Sequence, residues 1–90
     1  IMAVKSLSTE LSAQKIRVNG VSPGFVDSQM TRANLGVAGI ESIVKQIPNG
    51  LLAKTEDVSR TIKFLISDDA AYINGAVINI DGGFLSARTY

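Results

Sequence analysis

Apolar residues at 1, 4, 7 and 11 recur through Ile1 to Ala13, with Lys5, Ser8, Thr9 and Ser12 between them. This is the spacing of one buried helix face. No Ser, Thr, Asp or Asn precedes the stripe as a cap, so the helix is expected to lack its own start and the chain to be cut from something longer. The pattern then changes. Ile16, Val18 and Val21 lie in a short run that ends at Pro23-Gly24, and β-branched side chains of this kind suit a covered strand. Asn19-Gly20 is also a hairpin signal, but a second arm of Val21 and Ser22 is too short to pair, so a single strand is expected with Asn19 on the sheet.

Beyond Ser28, Gln29 to Leu35 is polar and short, enough for one or two helical turns. Val37, Ile40, Val44 and Ile47 then keep helical spacing up to Pro48, which stops it. Gly36 and Gly39 in the first turn of that helix each cost about 1 kcal/mol relative to Ala. This local weakness suits either a lid over a pocket or an irregular connection. Asn49-Gly50 marks a turn. Thr55 is expected to cap the next helix, with Glu56 and Asp57 in the first turn where the helix dipole favours them. Val58, Ile62, Leu65 and Ile66 form its core-facing stripe, with Lys63 opposite. Asn74-Gly75 is a turn, and Ala76 to Ile80 reads as a second buried strand ending at Asp81-Gly82-Gly83.

Two strands separated by a helical crossover should lie parallel in one sheet. The fold class is therefore α/β, and the chain reads as part of a doubly wound sheet whose other strands it does not contain. Ligands of such sheets gather beyond the carboxyl ends of the strands, which places the candidate site from Pro23 to about Ser28.

Composition narrows the chemistry. Ninety residues make at most one domain, and nine basic against eight acidic residues, scattered along the chain, leave a net charge of +1. No basic run points to nucleic acid, and no apolar run approaches the ~18 residues of a membrane span. Cys and His are absent, which removes thiol nucleophiles, Cys/His zinc sites and every Ser-His triad. A cytoplasmic protein without a metal site is the expectation. Read singly, Asp27 is a solvated carboxylate before it is a base, and Ser28 is a helix cap before it is a ligand contact. Asn19 and Asn79 should bond neighbouring backbone, because an unpaired amide within an apolar strand is costly. Tyr72, with no Lys at a helical offset, should pack rather than act as an acid. Asp81-Gly82-Gly83 is a turn first. No glycine-rich phosphate loop follows a strand.

The combination is more specific than any piece. Ile16-Arg-Val-Asn-Gly-Val-Ser-Pro-Gly-Phe-Val-Asp-Ser28, Ile47-Pro-Asn-Gly50, Glu56-Asp-Val58, Phe64-Leu-Ile-Ser-Asp68, Ile73-Asn-Gly75 and Ile80-Asp-Gly-Gly83 resemble, in order and spacing, the C-terminal portion of a short-chain dehydrogenase/reductase. The likeness is greatest to 3-oxoacyl-[acyl-carrier-protein] reductases and related carbonyl or alcohol dehydrogenases.

The resemblance implies that residues 1–90 are the C-terminal part of a single Rossmann-type domain that binds NAD or NADP. Pro23 and Gly24 match the motif beside the nicotinamide. Val26 takes the position whose backbone contacts the carboxamide, and Ser28 that of a hydroxyl contacting the cofactor. Residues 29–50 match a substrate lid, the substrate being a small carbonyl or alcohol compound. The first helix, and the helix near 56–66 with the last strand, match subunit interfaces, which implies a homotetramer or dimer.

No catalytic residue is carried over. The family's Tyr-x-x-x-Lys pair would lie upstream of Ile1, and neither Tyr72 nor Tyr90 matches it. Leu51, Ala53 and Thr55 depart from the Arg, Gly and Pro that are frequent there. The chain should therefore supply one wall, the lid and assembly surfaces of a hydride-transferring enzyme, and be inactive alone. The alternative is a non-catalytic assembly module derived from such an enzyme.

Overall fold

Both predicted strands form and run parallel, β1 (Gly20–Pro23) beside β2 (Val77–Ile80), in register from Gly20 with Val77 to Pro23 with Ile80. The computed structural model describes residues 2–88. Helix α1 (Met2–Ser12) precedes the sheet, and helices α2 (Gln29–Gln46) and α3 (Thr55–Leu65) form the crossover between the strands. Single 3-10 turns follow at Asp68–Ala70 and Ser86–Arg88. The arrangement is α/β, as the alternating periodicities require. Ile1 and Tyr90 lie outside the described residues.

The first strand is shorter than its β-branched pattern suggests, because Ile16 to Asn19 are fastened chiefly by side chains. The backbone turns at Lys15, which is left-handed at φ 60°. The Val18 N–H donates to Asn74 Oδ1 at 3.0 Å, and Asn19 Nδ2 donates to the Ile73 carbonyl at 3.0 Å. Asn19 Oδ1 in turn accepts from the Ala76 N–H at 3.0 Å. Asn19 thus bonds backbone as expected, from the residue just before the ladder.

The ladder opens with the Gly20 N–H donating to the Ala76 carbonyl and closes with the Gly24 N–H donating to the Ile80 carbonyl. Alternate residues face β2, so the nitrogen of Pro23 lies on the opposite edge and its missing N–H removes no bond to β2. The strand ends at Pro23-Gly24 as expected, with the bond from Gly24 closing the ladder.

Helix α1 keeps Val4 and Leu11 of the predicted stripe half-buried but replaces Leu7 by Ser8. Leu7 is 44% exposed, whereas Ser8 is buried. The reason is Gly75, where a Cβ would come within 2.8 Å of Ser8 Oγ. The helix approaches the 74–76 turn so closely that a small residue must face it, and the Ser8 hydroxyl folds back to donate to the Lys5 carbonyl at 2.8 Å.

The polar segment from Gln29 and the apolar one after Gly36 form a single α2 with a break at Gly36 (φ 67°, ψ 177°). Gly39 stays helical, so the local weakness expected from Gly36 and Gly39 shows as a break at Gly36 alone.

The start of α3 also differs. Lys54, not Thr55, is the cap residue. The Asp57 carboxylate reaches back to accept the Lys54 N–H at 2.8 Å, while the Thr55 hydroxyl donates to Glu56.

The core is thin. Ile47, Leu52, Leu65 and Ala70 are the buried apolar residues among those described. The radius of gyration is 15.6 Å, against about 12 Å for a compact domain of this length. A parallel sheet ordinarily has both faces covered, and two strands with three helices cover theirs only in part. The consequence shows on α3: Leu65 is buried, but Ile62 and Ile66 of the predicted stripe are exposed. Tyr72, expected to pack, is fully exposed, because the turn after Asp68–Ala70 carries it off the surface.

Candidate functional site

The loop from Pro23 to Ser28 leaves the carboxyl end of β1 beside the carboxyl end of β2, where the sequence placed it. Gly24 is the tightest point. A Cβ there would stand 2.8 Å from Asp81 Cβ and 3.1 Å from Asp81 Cα, atoms that cannot move without moving the backbone. Close approach of chain to chain accounts for this glycine. The Asp81 carboxylate meanwhile accepts from the Gly83 and Leu85 N–H groups at 3.0 and 3.2 Å. Asp81-Gly82-Gly83 is thus a turn, with φ of 62° and 93° at its two glycines.

Past Gly24 the loop pairs with the segment before α3. Val26 bridges Ala53 in parallel fashion. The Ala53 N–H donates to the Phe25 carbonyl at 2.9 Å, and the Asp27 N–H donates to the Ala53 carbonyl at 2.7 Å. Both bonds come from the residues flanking Val26, so its own N–H and C=O point the other way. Neither has a hydrogen-bond partner among the described residues. A main-chain donor and acceptor offered side by side suit a primary amide, which presents the complementary pair.

Ser28 caps α2, as its residue type suggests. Its Oγ accepts the Thr31 N–H at 3.2 Å and lies 3.1 Å from the Thr31 hydroxyl. Asp27 is solvent-facing but not solitary: Arg32 grips it in a two-pronged ion pair at 2.7 and 2.9 Å. The hydrogen bond from Arg32, with its charge, holds the Asp27 carboxyl below the usual range and raises the guanidinium. A carboxylate so engaged is a poor general base.

Two cavities flank the sheet. One, of about 520 Å³, lies between α3 and the 47–53 segment at the carboxyl end of β2 and is lined by Phe25, Ile47, Leu52, Arg60 and Ile80. The other, of about 640 Å³, lies at the amino end of β1 against Ile62 and Leu65. Pro23, Gly24, Val26 and Ser28 line neither. The structure brings these four onto one loop but gives them no opposing wall. What sequence reasoning missed is the clasp at the far end of α2, where Arg88 lies against Phe84 and Gln46. An Arg four residues after a Phe near the end of the chain was its only signal.

A parallel α/β sheet with a helical crossover between its strands is Rossmann-type architecture, and solved structures agree. A protein from Agrobacterium tumefaciens with bound NADP superposes with a TM-score of 0.87 at 35% identity, over 94% of this chain and 35% of that one. A 4-hydroxyisoleucine dehydrogenase complexed with NADH gives 0.88 at 30% identity, over 94% and 35%.

The family model described as Enoyl-(Acyl carrier protein) reductase matches residues 1–85. The 3-oxoacyl-[acyl-carrier-protein] reductase of Rickettsia felis is 46% identical over 81 residues, covering 90% of this chain and 33% of that protein. That of Pseudomonas aeruginosa is 42% identical over 79 residues, covering 88% and 32%. The chain belongs to the short-chain dehydrogenases/reductases. It spans about a third of the length of the curated relatives it matches. Among the described residues no helix is long and apolar enough to cross a membrane.

Proposed function

We propose that residues 1–90 are the C-terminal part of an NAD- or NADP-dependent oxidoreductase, cytoplasmic and homo-oligomeric, that acts on a carbonyl or alcohol substrate. The observation that carries this is the unpartnered main-chain pair of Val26 on a loop whose sequence matches the family's nicotinamide wall. The nicotinamide, when bound, supplies or accepts the hydride. Val26 would hold its carboxamide by the free N–H and C=O. Pro23 and Gly24 would set the floor of the wall, with Gly24 pinned to Asp81. Ser28 fits less directly, since its hydroxyl already caps α2, and it would contact the cofactor through its remaining lone pair.

Residues 29–50 would act as the lid. The catalytic acid/base would come from outside these ninety residues. The exposed Ile62 and Ile66 of α3 favour a partner subunit, because apolar side chains in a row are otherwise left in water.

The test is to assay the native gene product for NADH- or NADPH-dependent reduction of a 3-oxoacyl thioester and to measure its intact mass. Turnover by a protein longer than ninety residues is expected. The isolated chain should show neither turnover nor tight binding of either nucleotide by fluorescence. Micromolar affinity in the isolated chain, or a native product ending at these ninety residues, would favour a non-catalytic assembly module instead.

A further inference from the structure

The two arms of α2 are held in unlike ways. On the near side of Gly36, Asp27 and Ser28 anchor residues 29–35 through Arg32 and Thr31. On the far side, α2 ends at Gln46 against the segment that follows β2. The Asn49 N–H donates to the Gly82 carbonyl at 3.0 Å. Cβ atoms at Gly82 and Gly83 would come within 2.9 Å of Ile47 and 3.0 Å of Pro48. Over this junction lies Arg88. Its guanidinium carbon sits 3.5 Å from the centre of the Phe84 ring. One of its nitrogens donates to the Phe84 carbonyl at 2.9 Å and, more distantly, to the Gln46 carbonyl at 3.5 Å. The other donates to Gln46 Oε1. The last carbonyls of a helix lack intrahelical partners and carry its negative end, so a cation is favoured there. Phe84 in turn meets Phe25 edge-on, centroids 5.2 Å apart at 78°, and Phe25 directly precedes Val26.

We propose that Arg88 is a positioning residue: stacked on Phe84 and bonded to Gln46, it ties the far arm of the lid to the Phe25 side of the nicotinamide wall. Gly36, with φ 67° and open space around it, is the pivot about which that arm would otherwise swing. This deepens the oxidoreductase reading and rests on it for its effect on the substrate.

The experiment compares wild type, R88A and R88K in the native gene product. In R88A, amide hydrogen exchange should rise at residues 40–47 and stay unchanged at 29–35. KM for the carbonyl substrate should rise about fivefold with kcat within twofold, as for a lost positioning contact. The affinity for NADH or NADPH should not change. R88K keeps the charge but not the planar fork that stacks and bonds together, so its exchange should lie between the two. Exchange at 40–47 that is unchanged in R88A, or that rises equally in both arms, overturns the proposal. A wild type that binds neither nucleotide overturns the oxidoreductase reading instead, and the exchange result still decides the role of Arg88.

Discussion

The two ends of the sheet are closed by different means. At the amino end, side chains reinforce the two backbone bonds from Gly75 to Val18 and from Gly20 to Ala76. Asn19 and Asn74 bond the facing backbone, and Arg17 Nη1 donates to the Ile73 carbonyl at 3.0 Å. At the carboxyl end no amide side chain intervenes. Glycine lets Gly24 sit against Asp81, and the backbone pairs directly through Gly24 with Ile80 and through Ala53 with its two neighbours. An end laced by side chains uses up its polar groups in structure. An end closed by backbone contact leaves peptide groups on the outer edge, and Val26 offers a pair of these to a ligand. The proposed cofactor loop belongs at the second end for that reason.

The largest effect should come from Gly24→Ala, which forces a methyl group onto the Cα and Cβ of Asp81. Overpacking of this kind costs about 1–3 kcal/mol, read as a lower denaturation midpoint, and it should disturb the Val26 amide resonance with it. Asn19→Ala should cost about 1–2 kcal/mol, since it removes two hydrogen bonds each worth about 0.5–1.5 kcal/mol net and water reaches this half-buried end. It should leave the resonances of residues 24–27 in place. If Asn19→Ala shifted residues 24–27 as strongly as Gly24→Ala does, the two ends would be one unit and the contrast would fail.

The smallest effect concerns pH. Arg32 depresses the Asp27 carboxyl in the folded state. The contribution of the pair is therefore complete above the unfolded value near 3.9 and is lost as pH falls through the lower folded one. The Arg32 Nε–H resonance should move over that acid range and be insensitive to pH in Asp27→Asn. A transition near or above neutral pH would mean that the pair does not hold the near arm of α2.

Much of the fold was legible because local pattern and tertiary structure agree there. The Val58–Ile66 periodicity locates α3, Ser28 caps α2 as its hydroxyl and position suggest, and the two β-branched runs with a crossover between them dictate parallel pairing. Failures cluster where a contact distant in sequence overrides the local signal. Gly75 turns the buried face of α1 from Leu7 to Ser8, which no hydrophobic count along residues 2–12 contains. Asp57 takes over the capping of α3 from Thr55 by reaching back three residues. Tyr72 is exposed because the turn before it points it outward, although an aromatic beside Ile73 reads as core.

For the site, the sequence by itself determined which residues stand on the loop, because Pro23-Gly24 after an apolar run can only end a strand and open outward. It also determined what chemistry is absent from these ninety residues, since His and Cys do not occur in them. Tertiary structure alone decided how those loop residues are used. Gly24 serves a backbone contact with a segment nearly sixty residues away, and the bridge to Ala53 turns the peptide groups of Val26 outward. The reach of Arg88 to Gln46, forty-two residues away, is likewise decided by the fold. Periodicity and residue type govern interactions within a few turns, whereas the direction of a peptide group depends on which distant strand claims its neighbours.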